Sequence, residues 1–469
     1  MPVLLLSIYC FELTGQNTPV KIGQNTLFME GHMEPYPVYT IEPHHAGQWE
    51  AIKSLATERK ILYLEQSSNS LTDKKLKLAL PLKLKKGLQP EGFYTITSYI
   101  DHDSLFPDQL LDYNCGQITY DTDDGYNHTG TDFFPWPFPW SKMYNDEVEV
   151  VAAAPGILLL KQDGHFDQNC EDNNEIGNYI AIMHEDGSSA WYFHLKKNSL
   201  TQKSVGDQIE TGEYLGVIGS SGISVAPHLH FEVYDSDINL IDPFYGSCNS
   251  GISESWWENQ LPYKEPGINK LCTNAHLPFF PECPGEEISN EASVFAPGDT
   301  VFLMSYFKNI SLNDTVKVSV FLPDGSLFSS WLWKSPWEFY TASWLYFYII
   351  IEENIYGMWD YQLNYKDITY ECNFTLKDPM SIENKGMQNA FRVYPNPTND
   401  YALVESDQMI GKEVEISITN TYGHEYQSFQ SVITPDNPLK INLETFNPGI
   451  YFIKLKSGEQ FHVAKILKH

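Results

Sequence analysis

The segment His228-Leu229-His230-Phe231-Glu232-Val233 alternates polar and apolar residues, which is the period of a β-strand. On a strand, residues two apart share a face. His228, His230 and Glu232 then line one side, and Leu229, Phe231 and Val233 turn toward a core. Two imidazoles on one rigid strand, entered through Pro227, suit a metal ion. A His-x-His pair also occurs in strands that bind nothing, so its meaning rests on partners elsewhere in the chain. Upstream, Asn127-His128-Thr129-Gly130-Thr131-Asp132 sets a histidine and an aspartate four apart. That spacing brings both to one face of a strand as well as of a helix, and on a strand Gly130 would leave room between them. Taken alone, this stretch reads as a polar turn before Phe133-Phe134-Pro135-Trp136. The pair His44-His45 reads as an exposed loop pair.

The elements that would position these side chains form an antiparallel meander. Glu147 to Ala153 alternates, Ala154-Pro155-Gly156 turns, and Ile157 to Lys161 returns. Tyr179 to His184 and Ala190 to Leu195 form a hairpin around Glu185-Asp186-Gly187, with His194 at the far end of the returning strand. Val205 to Ile209 and Tyr214 to Gly219 lead into the turn Gly219-Ser220-Ser221-Gly222 that precedes the His-x-His strand.

In their order, His128-x-x-x-Asp132, the strand end Tyr192-x-His194-Leu195 and His228-Leu229-His230-Phe231-Glu232 resemble the lysostaphin/LytM-type zinc endopeptidases. The resemblance covers residues 112 to 245. It implies that His128, Asp132 and His230 hold one Zn2+ per chain, with a fourth position open for water. It further implies that His194 and His228 are the catalytic histidines beside the metal. Glu232 is either a hydrogen-bond partner behind the site or a surface carboxylate. Where the family has Thr-Gly before Pro-His, this chain has Val225-Ala226.

Acidic residues number 61 against 30 basic ones, a formal net charge of −31. Nucleic acid and anionic membrane surfaces, which require basic patches, are therefore excluded as partners. The apolar run within residues 1–16 is too short to span a bilayer and reads as a signal peptide. No later run is long enough for a transmembrane segment. Six cysteines follow it, Cys115, Cys170, Cys248, Cys272, Cys283 and Cys372. Their even number and scattered spacing fit disulfides formed in an oxidising compartment. Fifteen pairings are open; Cys115–Cys170 and Cys248–Cys283 are the expected ones.

The fold class is mainly β. An N-terminal region of unassigned role spans 17–110 and includes a helical stretch from Gln48 to Glu65. An antiparallel peptidase domain covers 111–247, and a disulfide-pinned connecting segment covers 248–286. A β-sandwich module at 287–378 carries Trp331, Trp333, Trp337, Trp344 and Trp359. These aromatics serve either as core and hairpin packing, their commoner use, or as a sugar-binding platform. A polar linker precedes a last all-β unit at 391–469. Its opening Tyr394-Pro395-Asn396-Pro397, its Pro448-Gly449-Ile450-Tyr451-Phe452 strand and its basic end resemble the Ig-like C-terminal sorting domain of type IX secretion cargo.

The expected function is a secreted zinc metalloendopeptidase acting on peptidoglycan peptides, exported through the periplasm by the type IX secretion machinery. An inactive wall-binding or regulatory module of the same fold and a broader secreted protease are the alternatives.

Overall fold

The computed structural model describes residues 20–22, 25–35, 46–66, 76–87, 92–171, 176–281, 283, 285–351, 355–378, 391–406, 410–420, 424–434, 438–457 and 460–469. The signal peptide, His44-His45 and the linker at 379–390 lie outside these residues. In chain order come β1 (Val20–Ile22), β2 (Asn25–Pro35), α1 (Ala46–Gln66), β3 (Leu82–Leu84), β4 (Thr95–Ser98) and β5 (Thr131–Phe134). Next are α2 (Pro139–Tyr144), β6 (Val148–Val151), β7 (Gly156–Gln162), β8 (Tyr179–Met183), β9 (Ser189–Phe193) and β10 (Gln208–Ile209). They are followed by β11 (Tyr214–Val217), β12 (Leu229–Tyr234), β13 (Leu240–Ile241), β14 (Gly267–Asn274), β15 (Val294–Phe295) and β16 (Thr300–Ser311). The run closes with β17 (Thr315–Phe321), β18 (Leu327–Lys334), β19 (Phe339–Ile350), β20 (Gly357–Tyr365) and β21 (Ile368–Leu376).

The site-bearing part is an antiparallel sheet ordered β10-β7-β8-β9-β12-β5-β4, with β13 paired to β12, and a smaller sheet β11-β6-β3. Their shared core contains Leu229, Phe231 and Val233 of β12, Phe133 of β5, Tyr192 of β9, Val150 of β6 and Leu215 of β11. The alternation read from the sequence is therefore realised, and each such side chain contributes roughly 1.5–3 kcal/mol on burial. Both sheets also use strands ahead of residue 111. Strand β3 pairs with β6 and β4 pairs with β5. The N-terminal region is thus structural, and the expected helix is present as α1.

A second core lies between the sheet β1-β2-β19-β16-β14 and the sheet β15-β21-β20-β17-β18. This sandwich reaches beyond 287–378, because it takes β14 from the connecting segment and β1–β2 from the N-terminal region. The tryptophans belong to its packing. Trp359 is fully buried, Trp331, Trp333 and Trp337 pack against the same core, and Trp344 lies in the apolar cluster with Trp136 and Phe138.

The C-terminal unit folds around its own core of Val404, Val414, Ile416, Ile418, Ile453 and Ile466. It has a three-stranded sheet (Arg392–Tyr394, Tyr401–Glu405, Leu439–Asn442). The other sheet is four-stranded (Glu425–Val432, Glu413–Asn420, Gly449–Ser457, Gln460–Lys468).

The disulfides use the expected cysteines with the partners exchanged, as Cys115–Cys248 and Cys170–Cys283. The Asp112 carboxylate explains the first. It accepts the N–H groups of Asn114, Gly116 and Ile118 and the Tyr263 hydroxyl, folding the Cys115 turn back. The Tyr113 carbonyl then accepts the N–H of Cys248 at 2.9 Å. The second bridge forms where Asn169 pairs with Ser220 and Cys283 sits 3.4 Å from the carbonyl of Val225. Cys272 and Cys372 are thiols.

Peptide mapping of the unreduced protein should recover these two bridges; fragments joining Cys115 to Cys170 would contradict the arrangement. Because they close segments of 133 and 113 residues, reduction should cost roughly 4–5 kcal/mol per bridge by chain entropy.

A titration is built into the same region. Glu287 accepts the N–H of Ser141 on α2 at 2.9 Å, and its other oxygen is buried without a partner. Burial pushes this carboxyl from its ordinary value of 4.5 up to about 7, against the pull of Ser141 and Lys142. Between those pH values the folded protein holds a proton that the unfolded chain has released, so stability should fall as pH rises from 4.5 to about 7. Glu287→Gln should flatten that slope in denaturation midpoints measured across the window.

Candidate metal centre

Strand β12 lies between β9 and β5, and its register sets the site. His230 pairs with Asp132 on one side and with Phe193 on the other. Directly paired residues share a face, so the imidazole and the carboxylate meet without a helix or a long loop to aim them. His128 arrives just ahead of β5 and His194 directly follows Phe193. His228 directly precedes β12, where it is bridged to Gly219. All five side chains expected from the sequence come together, and each is at most 4% exposed. Gly130 is required by close approach: a Cβ there would stand 2.5 Å from Cε1 of His230.

The hydrogen bonds at the back of each ring decide which nitrogen faces the centre. Nδ1 of His128 donates to the Tyr99 carbonyl at 2.7 Å, which leaves a lone pair on Nε2. Nε2 of His230 donates to Glu232 at 3.2 Å, which leaves a lone pair on Nδ1. Those two nitrogens stand 3.2 Å apart. The Asp132 oxygens lie 2.9 Å from Nδ1 of His230 and 3.2 Å from Nε2 of His128. Oδ2 of Asp132 is buried with no hydrogen-bond donor. Two ring nitrogens and a carboxylate face one point, an arrangement that could hold a cation at its centre. Burial acts to push the Asp132 carboxyl up, but His128, His228 and His230 outweigh it and hold the group well below its ordinary range. Among the described residues, His128, Asp132 and His230 form the one group of three such side chains that could hold a metal ion.

His194 and His228 flank this group, their ring centroids 4.6 Å apart. Each donates from Nδ1 to a main-chain carbonyl at 2.8 Å, His194 to Ser221 and His228 to Ala226. His194 adopts a left-handed backbone with φ of 61°, which costs about 1–2 kcal/mol for a residue with a Cβ. The surrounding loop holds it there: Asn178 donates to the carbonyls of His165 and Leu195, and its N–H donates to Ser221 Oγ.

Three contributors were not foreseen from the sequence. Tyr120 stacks on His128 at 4.5 Å, Tyr99 supplies the accepting carbonyl, and Asn178 clamps the His194 loop. Glu232 is a buried hydrogen-bond partner and not a surface carboxylate. It accepts from Thr129 at 2.5 Å and from Tyr234 at 2.7 Å besides His230.

Residues 127–243 match peptidase family M23, and residues 392–469 match the secretion system C-terminal sorting domain. The chain carries an M23 peptidase domain. Over 147 residues the chain is 34% identical to the glycyl-glycine endopeptidase ALE-1 of Staphylococcus capitis, covering 30% of this chain and 35% of that protein. Over 57 residues the chain is 44% identical to lysostaphin of Staphylococcus staphylolyticus, covering 12% of this chain and 11% of that protein. The chain thus spans no more than 35% of the length of either relative. The solved catalytic domain of lysostaphin from Staphylococcus simulans is 28% identical, with 26% of this chain and 78% of that chain covered and a TM-score of 0.18. The sorting domain marks the chain for export, and among the described residues no helix is long and apolar enough to cross a membrane.

In the M23 domain, Asp132→Ala and His230→Ala should each abolish metal retention. Glu232→Gln keeps the shape but weakens the acceptor behind His230, so metal affinity should fall 10–100-fold. Competition against a chelator of known affinity measures it; parental affinity in Glu232→Gln would show that Glu232 does not support the ligand.

Proposed function

We propose that the chain is an exported zinc metalloendopeptidase that hydrolyses peptide bonds in the stem peptides or cross-bridges of peptidoglycan. The observation that carries this reading is the convergence of Nε2 of His128, Nδ1 of His230 and the Asp132 carboxylate, each imidazole committed elsewhere through its other nitrogen. Tetrahedral zinc bonds of about 2.0–2.2 Å set neighbouring donors roughly 3.3–3.6 Å apart. The separations of 2.9–3.2 Å seen here suit that geometry after a small outward adjustment. Three ligands leave a fourth position open, as a catalytic zinc requires. Zinc held there would polarise the scissile carbonyl and bring the pKa of a water toward neutrality.

His194 and His228 supply the proton chemistry in this reading. With Nδ1 protonated and bound to a carbonyl, each keeps a basic Nε2. One accepts the proton of the attacking water at Nε2, and the other, once Nε2 also carries a proton, donates to the oxyanion that develops on the substrate. Their main-chain anchors keep both rings oriented before substrate arrives, which favours the transition state. The left-handed backbone of His194 supports the same role, because strain of this kind persists where the surroundings impose it.

The rest of the chain fits this activity. The sorting domain supports export by the type IX machinery to the cell surface or the medium. The relative named a glycyl-glycine endopeptidase supports a peptide substrate. An inactive binding module would have no need to retain all five residues with their supporting hydrogen bonds.

The decisive measurement is metal content against turnover in His194→Ala. Zinc should stay near one per chain while hydrolysis of purified peptidoglycan falls ~10²–10⁴-fold. Parental turnover in a variant that keeps its zinc would remove His194 from the chemistry.

A further inference from the structure

The connection from β7 to β8 does more than join two strands, because two of its residues reach the turn that aims His194. That turn is Ser220-Ser221-Gly222, and the Ser221 carbonyl accepts Nδ1 of His194 at 2.8 Å. Asn169 holds the carbonyls on either side of it. Its main-chain N–H donates to the Ser220 carbonyl at 2.9 Å, and its side-chain Nδ2 donates to the Gly222 carbonyl at 2.9 Å. The Ser220 hydroxyl donates back to the Asn169 carbonyl at 2.8 Å, and the N–H of Ser220 donates to the Asp167 carbonyl at 3.0 Å. With the groups on both sides fixed, the Ser221 carbonyl between them is held toward His194.

Asn169 and Asp167 are each 7% exposed, so these bonds form away from water, where leaving a carbonyl unpaired costs most. Through Oδ2, Asp167 also accepts the N–H of Lys197 at 2.8 Å. The same few residues thus grip both the turn and the chain just after His194. Their anchor comes from elsewhere in the sequence. Cys170 follows Asn169 directly and is bridged to Cys283, which lies beyond the M23 match at 127–243. Sγ of Cys283 stands 3.9 Å from the Asn169 carbonyl oxygen and 3.4 Å from that of Val225.

We propose that Asn169 is a positioning residue for His194, acting through the Ser221 carbonyl, and that the Cys170–Cys283 bridge holds Asn169 in place. The proposal rests on the reading of His194 as a catalytic histidine of a peptidase. An acceptor held at Nδ1 keeps the proton there and the lone pair on Nε2. Once that acceptor can move, the ring samples both tautomers and other orientations. Asn169 touches no reacting atom, so its loss should slow the chemical step and leave zinc and substrate binding as they are.

The test uses the full chain loaded with zinc, as the parent, as Asn169→Leu and as the double variant Cys170→Ser/Cys283→Ser. Leucine keeps the volume and the main-chain bonds of Asn169 and removes the donor to Gly222. Val318→Ala, in the separate core of the sandwich, shows what lost stability alone does. Two readouts follow. The first is the tautomer of His194, from NMR of protein labelled with nitrogen-15 in its histidines, the signals of His194 being those missing from His194→Ala. The second is kcat and KM for hydrolysis of purified peptidoglycan. The parent and Val318→Ala should show one tautomer, with the proton on Nδ1. The other two should show averaged tautomers and a kcat lower by roughly tenfold or more, with KM unchanged and one zinc per chain. A single Nδ1–H tautomer in Asn169→Leu overturns the proposal. So does a fall in kcat no larger than that of Val318→Ala when the parent is active. If the parent and every variant fail to hydrolyse peptidoglycan, the peptidase reading is overturned instead, and the tautomer alone decides whether Asn169 positions the ring. If Asn169→Leu does not fold, the double variant decides by the same readouts.

Discussion

The whole centre depends on the hydrogen-bonded pairing of Leu229–Tyr234 to two neighbours at once. Held on one edge by Thr131–Phe134 and on the other by Ser189–Phe193, the strand cannot slip by one residue without exchanging its faces. Such a slip would put Leu229 and Phe231 beside His128 and Asp132 and send His230 and Glu232 into an apolar core. Burial of Leu229, Phe231 and Val233 therefore fixes where His230 stands, and cross-strand pairing carries Asp132 with it. The chemistry is positioned by the same apolar contacts that make the sheet stable.

Around that strand, each histidine ring is held by the nitrogen that faces away from the cluster. Main-chain carbonyls of Tyr99, Ser221 and Ala226 accept hydrogen bonds from His128, His194 and His228, and Glu232 accepts one from His230. Four imidazoles so constrained have defined orientations. The two disulfides act on the same loops from outside. Cys170–Cys283 ties the loop before Asn178 to the segment beside Val225, and Cys115–Cys248 ties the turn before His128 to the chain after β13.

The additions to the M23 domain are integrated with it. Strands from the N-terminal region complete both of its sheets and also lengthen the sandwich, whose Tyr306 packs against Trp136 and Phe138 at the end of β5. The described residues up to 378 thereby belong to one compact unit, in which Trp49 of α1 meets Phe193 beside His230.

Much of this was legible in the chain itself. Period-two alternation identified β12 and its two faces, and the order of three short motifs named His128, Asp132, His194, His228 and His230. A helix over Gln48–Glu65 and the buried alternation of Val414, Ile416 and Ile418 were readable for the same reason: local periodicity reports which side of an element meets the core. What sequence could not determine depended on distance along the chain. The disulfide partners were exchanged because spacing says nothing about which turn folds back on which, and Asp112 decided it. Strands β3 and β4 were not legible because they are short and pair with strands that come much later in the chain. The environment of Glu232, buried against Thr129 and Tyr234, and the Tyr120 ring over His128 arise only when separate strands meet. Composition and order suggest the residue types of the site; the pairing of strands alone brings Nε2 of His128, Nδ1 of His230 and the Asp132 carboxylate together.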